Sequence, residues 1–186
     1  MAVDHDSKEL PDRMPAMPRF LTLFVLLLAL AFALELTPWA QAFVVTPWTD
    51  TVARVSGVLM RAFDASVTTS GNVIGSTASP FAVAIEAGCN GVEATLVLVA
   101  AMLAFPAPWR HRLAGIAIGV ATVQALNVIR VVTLFYLGRW NEHVFEWAHL
   151  YVWQALIMLD VLIVWVIWVK LAPSGTVPGS PRAAAA

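Results

Sequence analysis

Residues 113–137 read LAGIAIGVATVQALNVIRVVTLFYL. These twenty-five residues hold one formal charge, Arg130, and two amides, Gln124 and Asn127. About 20 residues of helix cross a bilayer core, so the stretch is long enough to span. A charged group inside such a segment is costly and turns inward, toward a partner or a cavity. The first property sets the fold class and the second starts the search for a site.

Three more apolar runs lie at residues 20–36, 92–105 and 147–169. The second is short, and it approaches spanning length only if it begins near Cys89. The chain is 60% hydrophobic and 12% charged, against about 25% charged in ordinary globular proteins. The expectation is an all-α integral membrane protein in contact with the lipid bilayer. It has about four transmembrane helices (20–36, 89–105, 113–137, 147–169), an outer amphipathic helix and a short β-like segment. The helices form a single membrane domain, residues 20–172, with an outer segment at 37–88. Residues 1–19 read as a cytoplasmic tail, and PSGTVPGSPRAAAA at 173–186 as a disordered one. A net charge of −1 points to no nucleic acid, and one cysteine excludes a disulfide framework or a Cys-rich metal site. No cofactor is expected.

Arg13 and Arg19 before the first run, with Ala40-Gln41-Ala42 after it, also fit a cleaved signal peptide. The apolar stretch is at the long end for that, and a span is preferred. Either way, the chain after Leu36 lies outside the cytoplasm. With four spans, Lys8, Arg13, Arg19, Arg110, Arg112, Lys170 and Arg182 fall on one side, and Arg54, Arg61 and Arg139 on the other. Positive charge collects on the cytoplasmic side, so both termini belong there. Trp39, Trp140 and Trp147 are expected at the outer interface, and Trp109, Trp165 and Trp168 at the inner one.

In the outer segment, Thr46-Pro47 reads as a helix start. Asp50, Arg54, Gly57, Arg61 and Asp64 then form a polar stripe, opposite Val55, Val58, Leu59 and Ala62. Such a helix lies on the membrane surface or on the bundle. Residues 66–80 are rich in Ser, Thr and Gly, and two β-like pieces are expected at 72–74 and 81–85.

This topology brings three reactive groups to one depth. Cys89, in EAGCNGVEA, lies at the outer mouth of the second span. Arg130 is 17 residues past Leu113, or about 26 Å up a helix. His149 is the third residue of the last run, which enters from outside. A thiolate is a nucleophile whose formation a nearby cation favours. Histidine moves protons near neutral pH. Arginine keeps its charge and holds an oxyanion or a carbonyl. Together they suit acyl transfer through a thioester. Taken singly, each has a structural explanation: a buried small thiol, a snorkelling arginine, a hydrogen-bonded interfacial histidine. Asn127, one turn before Arg130, is placed to orient it. Glu93 is placed to pair with Arg130 or to serve as a structural ion-pair partner. His143 is the rival of His149 but sits in a polar loop. Glu86 and Glu146 read as solvated, and Asp160 as a packing group.

CNG at Cys89, NVIR at 127–130 and FEWAHLYVWQ around His149 resemble the exosortases, multi-spanning bacterial membrane proteins related to archaeosortases. EAGCNGVEA and the short chain most resemble the H subgroup. The resemblance implies a cysteine protease or transpeptidase of the inner membrane, with its active site facing the periplasm. Cys89 would be the nucleophile, His149 the general acid/base and Arg130 the oxyanion stabiliser. The implied partners are secreted proteins with a C-terminal sorting signal: a short motif of IPTL type, a transmembrane helix and a basic cluster. A non-catalytic scaffold or chaperone subunit that holds a client's transmembrane helix is the alternative from another class.

Overall fold

The computed structural model describes residues 16–172. The tails expected at 1–19 and 173–186 lie outside the described residues, apart from 16–19, which already belong to the first helix. That helix, α1, spans Ala16–Glu35. It stops where Thr37 precedes Pro38, because a residue before proline avoids the helical region. Thr37 is extended there, and its hydroxyl accepts the Ala40 N–H and donates to the Leu34 carbonyl.

Thr37-Pro38 therefore starts the next helical stretch, not Thr46-Pro47. It runs through α2 (Pro38–Ala40), a π turn (Gln41–Val45) and α3 (Thr46–Arg61). Pro47 has no N–H to give, and the backbone widens into the π turn just before it.

Three antiparallel strands follow, β1 (Val67–Ser70), β2 (Val73–Ser76) and β3 (Ser79–Ala84), in the order β1-β2-β3. The two expected β-like pieces correspond to β2 and β3. VTTS of β1 is an extra strand inside the Ser/Thr-rich stretch read as loop. Its β-branched residues suit the pleat, and Val67 and Ile74 anchor the sheet in the core.

Helix α4 spans Val92–Ala104, α5 Trp109–Trp140 and α6 Glu142–Trp147. A second π turn, Ala148–Val152, joins α6 to α7, Trp153–Leu171. Among the described residues, three helical stretches are long and apolar enough to cross a membrane: Pro18–Glu35, Trp109–Trp140 and Glu142–Leu171. Helix α4, with 13 residues, covers only about 20 Å. Residues 89–91, expected to open its span, form a turn instead. Helix α5 has 32 residues, about 48 Å of rise against a hydrocarbon core of about 30 Å.

Helix α3 runs along the C-terminal half of α5 in the same direction. Trp48, Val52 and Val55 face Gln124, Ala125 and Val128 across one small cavity. Farther on, Phe63 meets Tyr136 with ring centroids 5.9 Å apart, and Arg139 donates to Asp64 at 2.6 Å. Ser66 and Arg139 hold the Asp64 carboxyl below its usual range, at about 2. Helix α3 thus lies on the bundle, with a buried face unlike the expected one. Val52, Ala53, Ser56, Gly57 and Met60 are buried. Val55, Val58 and Leu59 of the expected apolar stripe are 50%, 58% and 48% exposed. Close packing explains the difference. The Thr69 methyl of β1 sits where a Gly57 side chain would be, so this face of α3 closes on the sheet.

Two clusters form the core. One joins α3, the sheet and α5 through Met60, Ile74, Ile85, Val131 and Phe135. The other joins α4, α5 and α7 through Leu98, Met102, Val123, Ile157, Val161 and Trp168. Trp168 is therefore part of the core. Its indole donates to the His111 carbonyl at 3.2 Å and stacks on the His111 ring. Trp165 packs edge-on against Phe105. Trp39, Trp109, Trp140 and Trp147 are exposed.

The Trp168 ring occupies the space that a side chain at Gly115 would need. Gly115→Val should lower stability by about 1–3 kcal/mol through overpacking. Leu113→Val, on an exposed face, should stay within about 0.5 kcal/mol. Thermal unfolding of both variants in detergent checks this, and equal midpoints would refute the close α5–α7 approach.

Candidate active site

The turn that carries the thiol is built from two glycines. Gly88 and Gly91 have φ of +83° and +76°, a region that side-chain-bearing residues avoid. At Gly91 there is also no room: a Cβ would lie 2.9 Å from the Gln124 amide and 3.2 Å from Asn127 Cγ. Cys89 sits between these glycines, half-buried, in the turn just before α4.

Neighbouring elements hold this turn by its backbone. Glu93 Oε1 accepts the Gly88 N–H at 2.6 Å, and Arg130 Nη1 donates to the Gly88 carbonyl at 3.3 Å. From α3, Trp48 Nε1 donates to the Asn90 carbonyl at 3.3 Å. The buried Asn90 amide donates to Thr49 Oγ1 at 3.0 Å and accepts the Val92 N–H at 3.0 Å, which starts α4. Gln124 Nε2 bonds the Gly91 carbonyl and Thr95 Oγ1, each at 3.0 Å.

His149 reaches the turn from the π turn between α6 and α7. Cys89 Sγ and His149 Nε2 are 3.1 Å apart. The Phe145 ring, one turn earlier, stacks on the imidazole with centroids 5.6 Å apart. Phe145 in turn packs edge-on against Phe81 of β3, which presses into the space left by Gly138 on α5. Arg130 Nη2 donates to Cys89 Sγ at 3.5 Å. The structure thus brings Cys89, Arg130 and His149 into contact, from three separate elements.

The other singled-out residues fall elsewhere or act differently. Glu93 makes no ion pair with Arg130 and bonds the Gly88 N–H instead. Asp64–Arg139 is the ion pair found among the described residues. Asn127 is fully buried, and neither atom of its amide has a partner, so it makes no hydrogen bond to Arg130. His143, Glu86 and Glu146 are exposed, and Asp160 lies part-buried in α7. No group of residues suited to a metal ion occurs among the described residues. Asn90, Trp48, Thr49, Gln124 and Phe145 are site residues that the sequence reading did not single out. Two of them left signals: Gln124 is one of two amides in an apolar run, and Phe145 precedes His149 by one helical turn.

Burial pushes the Cys89 thiol above its usual range; the Arg130 charge pulls it down, and Glu93 and Glu86 push it up further. The resting sulfur therefore favours the protonated form, and attack needs a base. His149 Nε2 is at hydrogen-bond distance for that transfer.

A helical membrane protein with a thiol, an imidazole and a guanidinium in contact at one end of its bundle is thereby defined. A family model described as transmembrane exosortase matches residues 19–170, and the chain belongs to that family. No curated protein and no solved structure matches it.

Removing the Arg130 charge removes the one influence that favours the thiolate. Arg130→Gln should shift the pH profile of Cys89 alkylation by iodoacetamide to higher pH, with slower labelling near neutrality. Mass spectrometry of the labelled protein across a pH series measures it. An unmoved profile would show that Arg130 does not act on the sulfur.

Proposed function

We propose that this protein is a membrane-embedded cysteine peptidase or transpeptidase that processes C-terminal sorting signals of exported proteins. The observation that carries this reading is the 3.1 Å contact between Cys89 Sγ and His149 Nε2, with Arg130 at 3.5 Å from the same sulfur. Family membership supports the exosortase type.

His149 takes the thiol proton as Sγ attacks the substrate carbonyl carbon. The carbonyl oxygen becomes an oxyanion, and the Arg130 guanidinium stabilises it. The tetrahedral adduct collapses, and His149 returns the proton to the departing nitrogen. A thioester on Cys89 and a free amine result. Water or an acceptor amine then attacks the thioester, again losing its proton to His149, and the thiol is restored. The substrate is an exported protein with a short motif, a transmembrane helix and a basic cluster; an IPTL-type motif fits the likeness to the H subgroup. With α4 counted as a crossing, seven basic residues against three favour cytoplasmic termini and a site on the periplasmic side of a bacterial inner membrane. Asn127 and Glu93 are supporting residues in this reading, Glu93 through the Gly88 N–H.

Co-expression with a protein bearing such a signal tests the function through a Cys89-dependent change in substrate size. Cys89→Ala should abolish processing and leave the protein in the membrane. A scaffold that only holds a client helix would tolerate Cys89→Ser. His149→Ala should be inactive and His143→Ala largely active; the reverse would reassign the acid/base.

Arg130→Lys keeps the charge but loses the planar fork of donors. It should cut turnover at least about tenfold, or ~1.4 kcal/mol of barrier, at matched membrane abundance. Wild-type turnover would reduce Arg130 to a charge alone.

A further inference from the structure

Strand β3 is the outer strand of its sheet, and it runs straight into the nucleophile turn. The Ile85 N–H donates to the Asn72 carbonyl at 2.9 Å, which makes Ile85 a hydrogen-bonded partner on the β2 side. The register pairs Val83 with Ile74, Ala84 with Val73 and Ala82 with Gly75. Hydrogen-bonded and non-hydrogen-bonded pairs alternate in an antiparallel ladder. The N–H and C=O groups of Ala82 and Ala84 therefore point away from β2. They have no hydrogen-bond partner outside the sheet among the described residues. The register shifts between Gly75 and Ser76, so this regular alternation covers Ala82 to Ile85. The side chains of Ala82 and Ala84 are small and exposed. Phe81, by contrast, packs on Phe135 and Phe145, so the contact with α6 is made from the face of β3 and not along its edge. The opposite outer strand, β1, packs against α3 through Thr69 and Gly57.

We infer that the substrate binds as a fourth strand on β3, pairing its backbone with Ala82 and Ala84 while its scissile carbonyl lies at Cys89. An open edge of this kind is a ready template for an extended peptide, with main-chain bonds supplying affinity. Cys89 is five residues past Ala84, a reach of no more than about 17 Å of extended chain. The paired part of the substrate then lies within about five residues of the bond that is cut. The four free backbone groups read shape and extension, not side-chain identity, so the same edge serves substrates of different sequence around a short motif. This inference rests on the acyl-transfer reading above.

A synthetic peptide carrying Ile-Pro-Thr-Leu, an apolar helix and a lysine cluster, presented in proteoliposomes with the full-length protein, provides the test. Ala82→Pro and Ala84→Pro each remove an edge N–H without touching the β2 ladder. Each should lower kcat/KM about threefold to tenfold, the loss of one backbone hydrogen bond, while iodoacetamide labels Cys89 at the wild-type rate. N-methylation of single peptide bonds in the substrate leaves the protein unaltered. Scanned across the five residues beside the scissile bond, it should impair processing at alternate positions only. Unchanged kcat/KM in both proline variants, or an N-methyl scan without alternation, would overturn strand pairing. Should a proline variant lose Cys89 labelling, the scan on the wild-type protein decides. A wild-type protein with an alkylatable Cys89 that never processes the unmodified peptide overturns the acyl-transfer reading, and this inference with it.

Discussion

Arg130 is a buried cation without a counter-anion. It is 2% exposed, and no carboxylate lies within salt-bridge distance of it among the described residues. Taking such a charge out of water costs several kcal/mol unless partners replace the solvent. Its partners are a carbonyl, at Gly88, and a sulfur, at Cys89, while its Nε has none. The arrangement is electrostatically incomplete, and any negative charge that forms beside it is stabilised. In the proposed thioester mechanism both anions, the thiolate and the oxyanion, form beside it.

Placing that charge beside the sulfur requires a rigid turn, and much of the fold serves it. The turn from Gly88 to Gly91 is bonded from α3, α4 and α5. Helix α3 reaches it because Gly57 lets α3 lie close to β1 while Trp48 and Val52 face α5. His149 is set from the other side by a chain of rings, Phe135, Phe81 and Phe145, that begins on α5. One long helix thus carries the guanidinium and also supports, through β3 and α6, the imidazole.

That the three groups share one end of the bundle is legible, because a bilayer puts residues on successive spans level with one another. Counting helical rise from Leu113 puts Arg130 toward the far end of its span, and Cys89 and His149 border apolar runs at the same end. Helix rotation and order leave no comparable trace, so contact itself could not be read. Glu93 was misassigned for that reason: spacing puts it near Cys89, but only the fold shows that it faces the Gly88 N–H. The apolar stripe of α3 misled in another way. Val55, Val58 and Leu59 look like a core face under the rules of a water-soluble protein. Where lipid is the surrounding solvent, apolar side chains are at home outside, and Gly57 and Ser56 mark the packed face. The strand at 67–70 was hidden by its Ser and Thr content, and the π turn at His149 has no sequence signature.

The covalent intermediate offers the most direct test. The wild-type protein in proteoliposomes is mixed with a sorting-signal peptide, quenched in acid and weighed intact. The account predicts a mass increase equal to the N-terminal part of the peptide, mapped to Cys89 and removed by hydroxylamine. Processed peptide with no thioester at Cys89 would contradict it.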